Sequence, residues 1–184
     1  LMCTDNMPSG TAYKLGDVLT ARDGTTVEVK NTDAEGRIVM MDAIALAVEE
    51  GVDAIIDIAT LTGAALMALG QLTAPVLGND QRVVDLTLAA SAVTGEPLWQ
   101  LPLERKYRPQ LDSDVADLAN IGGRYAGATT AALFLDHFTR KTPWAHLDIA
   151  GTMAVDADES WRSKGATGFG ARLLLETALT FTKA

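Results

Sequence analysis

Apolar and polar positions alternate along the chain with two different periods, and the changes of period divide it into short strands and longer helices. Between Ala34 and Glu50 the apolar residues Ile38, Met41, Ala45 and Val48 fall on one helical face, and Gly51 stands where a left-handed terminating residue is needed. The next run, Val52 to Ala59, is β-branched and almost continuously apolar, which predicts the central strand of a sheet covered on both faces. Ahead of the helix, Asp17 to Thr20 and Thr25 to Lys30 flank the turn pair Asp23-Gly24 and predict a hairpin. Further helices are expected near Asp80 to Thr94, Gly127 to Arg140 and Gly168 to Thr182, with a strand at Trp144 to Ile149. This alternation predicts an α/β fold of three layers, helices on both sides of a largely parallel or mixed central sheet. Neither an internal repeat nor a low-complexity linker interrupts it.

Composition narrows the function classes. Lys plus Arg number 15 against 24 Asp plus Glu, a formal net charge of -9, which speaks against a nucleic-acid or anionic-membrane surface. The longest apolar stretches, such as Ala64 to Leu69, fall far short of the roughly 20 residues needed to cross a bilayer. A single cysteine, Cys3, leaves no intrachain disulfide and suggests a reducing compartment. Leu1 is not a translational start and no signal-peptide pattern follows it, so the chain is expected to be a piece of a longer one.

The chemistry concentrates at strand-to-helix junctions, where α/β folds carry their sites. In Asn31 to Arg37 (NTDAEGR), Asp33 and Glu35 offer two carboxylates that can converge on one divalent cation, with Arg37 beside them. Thr32-x-x-Glu35 also spells a helix capping box, the commoner meaning of that spacing. Gly36 tilts the balance back, since a mere helix start has no use for a glycine that costs about 1 kcal/mol relative to Ala. In Asp57 to Gly63 (DIATLTG) the amides at a helix start can hold an anion or a substrate carbonyl; equally, Thr62 can simply cap an ordinary turn. Gly122 to Thr129 superficially matches a phosphate loop, but Ala128 stands where the lysine is required, so a tight turn feeding a closely packed helix is expected. Asp156 to Ser160 starts like a calcium loop, yet Trp161 replaces its glycine and Thr167 its glutamate. His137 and His146 are too few for an imidazole-rich zinc site; His146 shares a strand face with Asp148 and reads as either a pair or a satisfied core histidine. No serine sits in a nucleophile elbow.

At NTDAEGR the chain resembles the catalytic domain of the leucine aminopeptidase (cytosol aminopeptidase) family. NMPSG (Asn6 to Gly10), GDVLT (Gly16 to Thr20), DIATLTGA (Asp57 to Ala64), NIGGRYAGATTAA (Asn120 to Ala132), PWAHLDIAGT (Pro143 to Thr152) and KGATGFG (Lys164 to Gly170) are similar to family segments and keep the family order. Nearly the whole chain is covered. The resemblance implies a cytoplasmic, hexameric exopeptidase that uses two divalent metal ions (zinc, manganese or magnesium) to release N-terminal residues, leucine-like by preference, from peptides. It implies Asp33 and Glu35 as metal ligands, Glu35 bridging both ions, and Arg37 as the active-site arginine that holds bicarbonate, the proton acceptor. Thr60, Leu61 and Gly63 match backbone contacts to substrate, and Ala150 and Met153 match walls of the first side-chain pocket. The family's other metal ligands, a lysine and two aspartates, and its catalytic lysine have no counterpart: Lys14, Lys30, Lys106, Lys141, Lys164 and Lys183 occupy none of those motif positions. Residues 1–184 are therefore expected to be the C-terminal portion of a metallo-aminopeptidase catalytic domain, with a sheet incomplete at its N-terminal side, half a metal site and no appreciable activity alone. A different reading within the family is a non-catalytic scaffold or DNA-binding member, to which the acidic charge lends little. Asp33 and Glu35 are expected at a strand end, on the same side of the sheet as Thr60, Leu61 and Gly63.

Overall fold

The computed structural model describes residues 7–160 and 162–182; Leu1, Cys3, Asn6, Trp161 and Lys183, singled out in the sequence, lie outside them. The hairpin forms as predicted: β1 (Val18–Thr20) pairs antiparallel with β2 (Thr26–Glu28). Its turn is closed by the Asp23 carboxylate accepting from Thr25 N at 3.0 Å and by Gly24 at φ +88°. Helix α1 (Glu35–Glu49) follows, buries Ile38, Met41 and Ala45 as the periodicity requires, and is followed by Gly51 at φ +70°.

The main sheet has four strands and is mixed. Strand β3 (Ile55–Ala59) runs parallel to β7 (Trp144–Asp148), β4 (Ala74–Gly78) runs antiparallel on the other side of β7, and β5 (Leu98–Gln100) lies parallel to β4 at the far edge. The fully buried central strand is thus β7, whereas the Val52 to Ala59 run, expected at the centre, supplies an edge with β7 as its one partner among the described residues. Continuous apolarity reports burial of faces, not the number of strand neighbours, and here it misplaced the centre. Pro75 sits in β4 just beyond the stretch that pairs with β7, so its missing N–H leaves no gap in that ladder.

Period 2 along β7 divides the core. Trp144 packs with Phe134 and Phe138 of α4 (Gly127–Phe138) and with Ile38, Met41 and Ile44 of α1. Ala145 and Leu147 pack on the opposite face with Val83, Val84 and Ala90 of α3 (Gln81–Thr94) and Leu173 of α5 (Ala171–Thr180). This is the three-layer α/β/α arrangement, completed at one end by the short α2 (Gly63–Leu69). One expectation needs correcting: β2 does not share a sheet with β3. It forms a separate three-stranded sheet with β1 and, in parallel, with β6 (Leu118–Ala119). A small ribbon of β8 (Ala154–Val155) and β9 (Gly165–Ala166) follows β7.

The tightest fit in the sheet is Gly78 at the end of β4, where a Cβ would lie 2.5 Å from the Trp144 carbonyl oxygen and 2.6 Å from Val84 Cγ2. Gly78→Ala should lower the unfolding free energy by about 1 to 3 kcal/mol, measured by urea titration, because the obstructing oxygen belongs to the central strand's backbone and cannot move aside.

Candidate active site

The NTDAEGR segment is shaped by a residue that sequence reading missed, Asn120. Leaving β6 beside β2, its buried carboxamide accepts from the N–H groups of Lys30 (2.9 Å) and Asn31 (3.1 Å) and donates to the Asn31 carbonyl (2.6 Å). The chain after β2 is thereby fixed, and the Asn31 side chain accepts from Asp33 N at 2.8 Å, setting the exposed Asp33 just ahead of α1. The capping box does not form. Ala34 is the N-cap residue and no side chain caps the helix, so neither Thr32 nor Glu35 serves that purpose. Glu35 opens α1 half-buried, near Tyr13, whose phenol is raised above its usual pKa first by burial and then by the Glu35 charge.

Two residues later on α1, Arg37 is 5% exposed, and among the described residues neither its Nε nor its Nη1 has a hydrogen-bond partner. Burial pushes the guanidinium down to about 10, against the opposing charges of Asp148 and Glu35, so it remains a cation at neutral pH. Asp148, at the end of β7, is itself 1% exposed. Its Oδ1 accepts from Leu61 N (3.0 Å), Thr62 N (3.2 Å) and Ala150 N (3.3 Å), and its Oδ2 from the Thr62 hydroxyl (2.6 Å). The Leu61 and Thr62 amides, open to a ligand in the sequence reading, are therefore occupied by Asp148, while Thr62 also caps α2 by accepting from Ala65 N at 3.0 Å.

The two motifs meet. A cavity of about 330 Å³ is lined by Asn31, Asp33, Ala34 and Arg37 from one, by Leu61, Thr62 and Gly63 from the other, and by Gly123, Arg124 and Gly127 from the turn before α4. The glycines here let backbones approach: a Cβ on Gly127 would lie 2.9 Å from that of Ala64, and Gly36 faces the Leu61 side chain at 3.4 Å. That is the work of the phosphate-loop lookalike, as its missing lysine suggested. Thr60 is exposed immediately after β3; Ala150 and the exposed Met153 follow β7 and are not among the residues lining this cavity. A larger cavity of about 600 Å³ beside His137 is less suggestive, since its Arg105 and Arg140 are already paired with Asp136 and Asp23, each at 2.6 Å.

His146 is paired, but with Asp57 across the strands instead of Asp148 along its own. Asp57 stands opposite it in the β3–β7 register and accepts from His146 Nδ1 and Trp144 Nε1, both at 2.5 Å. The other ring nitrogen, Nε2, is buried without a partner. The donor set for a metal is limited: among the described residues no three His, Cys, Asp or Glu side chains are grouped to hold one. Asp33 and Glu35 are carboxylates of the hard-oxygen kind that suit manganese, magnesium or zinc, so they fit such ions in kind and fall short of them in number.

Comparison with known proteins identifies the family. The catalytic domain of the cytosol aminopeptidase family matches residues 1–175. The chain belongs to the cytosol aminopeptidase family. It is 48% identical over 179 residues to the "Probable cytosol aminopeptidase" of Alkaliphilus metalliredigens, covering 97% of this chain and 36% of that protein. Proteins of the same name from Synechococcus sp. (strain JA-3-3Ab) and Geobacter sulfurreducens are each 51% identical, over 96% and 94% of this chain and 34% and 35% of their own length. The chain thus spans about a third of the length of these relatives. No described helix is long and apolar enough to cross a membrane.

Two measurements check this aminopeptidase-family site. Asn120→Ala removes three hydrogen bonds at once, and amide exchange of residues 30–33 should accelerate by roughly tenfold or more while α3 and α5 stay protected. Equal protection in both proteins would show that the cradle is redundant. The second concerns pH. Burial pushes the His146 imidazolium pKa down, but Asp57, by its charge and hydrogen bond, and then Asp148 outweigh this and Arg37's repulsion, so it ends above the ordinary 6.5. A raised histidine contributes stability that is full below about 6.5 and is lost as pH rises through the folded-state value. Urea unfolding from about pH 6 to about pH 9 should therefore show a decline that His146→Gln lacks. His137, lowered by burial and by Arg140 and Arg108, tilts both profiles the other way and cancels in the difference.

Proposed function

We propose that this chain carries the C-terminal part of the active site of a metal-dependent cytosol aminopeptidase, which releases N-terminal residues, preferentially leucine-like ones, from peptides. The observation that supports it best is the buried, unpartnered Arg37 guanidinium opening on the same cavity as Asp33 and the Leu61 to Gly63 turn. A cation desolvated to this degree, with Nε and Nη1 unpartnered among the described residues, is matched by a small oxyanion, and bicarbonate suits it as proton acceptor.

In this reading Asp33 and Glu35 hold divalent ions, zinc, manganese or magnesium, which supply Lewis-acid polarisation of the scissile carbonyl. Further ligands come from elsewhere in a longer protein. Arg37 holds bicarbonate beside the carboxylates, where its charge keeps the anion in reach of a proton released near the scissile bond. Leu61 has already given its N–H to Asp148, so it offers a peptide its carbonyl, as Thr60 does, while Gly63 offers an N–H from the first turn of α2, where no intrahelical acceptor exists. Ala150 and Met153 line the pocket for the first side chain. The enzyme is a cytoplasmic homohexamer.

The test uses hydrolysis of a chromogenic leucine amide with added manganese. The 184-residue chain alone should show no appreciable turnover, because two carboxylates cannot hold two ions tightly. In a full-length protein containing it, Glu35→Gln should abolish turnover, whereas Arg37→Ala should lower it by roughly 10²- to 10⁴-fold and cease to respond to bicarbonate. Wild-type rates in both variants would overturn the reading.

A further inference from the structure

A buried arginine beside a buried aspartate ordinarily closes an ion pair, since leaving either unpaired is costly. Arg37 and Asp148 do not close one. Both border Thr62: Arg37 lines the same cavity, and the Asp148 carboxylate is bonded to the Thr62 amide and hydroxyl. Yet among the described residues Arg37 Nε and Nη1 have no partner, while Asp148 takes its hydrogen bonds from residues 61, 62 and 150.

The separation has an identifiable cause. Oδ1 of Asp148 already accepts three backbone N–H groups, so Oδ2 is the oxygen with room for a guanidinium. The Thr62 hydroxyl stands on it at 2.6 Å. That hydroxyl is held from two sides, since it gives its single hydrogen to Asp148 and accepts from Ala65 N at 3.0 Å.

We propose that Thr62 is a positioning residue: its hydroxyl occupies Asp148 Oδ2, keeps Asp148 from closing on Arg37, and so holds the guanidinium open for an oxyanion of the bicarbonate type. This rests on the reading of Arg37 as an anion site. Asp148 then acts on Arg37 through its field alone, holding a cation in place without consuming its donors. The ligand class follows from the guanidinium donors at Nε and Nη1, both without a partner among the described residues, which suit planar or tetrahedral oxyanions.

The experiment measures bicarbonate binding to the metal-free 184-residue chain by calorimetry, with Thr62→Val, Thr62→Ser and Arg37→Ala beside the wild type. Valine matches threonine in volume and suits the extended backbone at Thr62, φ -136° and ψ 135°. Thr62→Val should weaken binding by roughly tenfold or more, Thr62→Ser should bind within about twofold of wild type, and Arg37→Ala should not bind. Because valine also removes a helix cap, nitrogen-15 spectra of the Arg37 Nε–H supply a second reading. In Thr62→Val that proton should become protected from exchange, the mark of its capture by Asp148. Weakened binding with an unprotected Nε–H means that α2 has frayed instead, and overturns the proposal. So does wild-type affinity in Thr62→Val, or a Thr62→Ser as weak as the valine variant; both leave the anion reading of Arg37 standing. No saturable binding by the wild type overturns that reading and this inference together.

Discussion

Asp148 is the point at which the sheet, α2 and the candidate site are tied to one another. Its carboxylate ends the fully buried central strand and gathers four donors, three of them from residues 61 and 62, which lie 87 and 86 positions away in sequence. A carboxylate taken this far out of water is tolerable only when its lone pairs are met, and a turn that presents two successive amides and a hydroxyl meets them. The orientation of α2, and with it the Leu61 to Gly63 wall of the cavity, follows from that requirement. Thr62 would cap α2 in isolation; with Asp148 beside it the cap is also a tether to β7.

The interior around it is balanced in charge while its groups remain only partly paired. Asp57 stands with His146 and Trp144 in one cluster, and Asp148 with the turn in another; Arg37 touches neither through Nε or Nη1. The Trp144 and His146 rings stack 6.2 Å apart and 12° from parallel, and both donate to Asp57. His146 bonds Asp57, which with Asp148 draws the imidazole pKa upward, whereas Arg37 feels the charge of Asp148 without a hydrogen bond to it through Nε or Nη1. The cost of keeping Arg37 unpaired is therefore borne locally, in a segment clamped at one side by Asn120 and at the other by Asp148.

What the sequence revealed and what it withheld divide along range of interaction. Helix α1, helix α3 and strand β7 were legible almost to the residue, since period, Asp80 at a cap position and Gly51 at a terminus are local signals. Strand β4 was not, because Pro75 breaks the pattern and its place in the sheet depends on pairing with β7, which begins only at Val76. The two-residue β6 offers no period at all, and so Asn120, which it delivers, was missed; its one signal was a polar residue between a short apolar pair and a glycine run. His146 illustrates the same limit: its own strand offers Asp148 as partner, but the cross-strand register, which no single segment encodes, offers Asp57 at closer range.

The glycines complete the argument from the side of shape. Gly36 in the first turn of α1 loses helix stability, and the loss is repaid by nothing on α1 itself; it lies against Leu61, on the other motif. Gly127 does the same for α4 against Ala64, and Gly122 for the preceding turn against Thr130. At Gly127 and Gly122 a Cβ would crowd its neighbour, at 2.9 and 3.1 Å, whereas at Gly36 it would make an ordinary contact; Gly127 lines the cavity that Asp33 and Arg37 also line. Asp33 and Arg37, of opposite sign, both border a cavity walled by these closely packed segments. In the proposed site that close packing leaves the Asp33 carboxylate, for a cation, and the Arg37 guanidinium, for an anion, on one cavity.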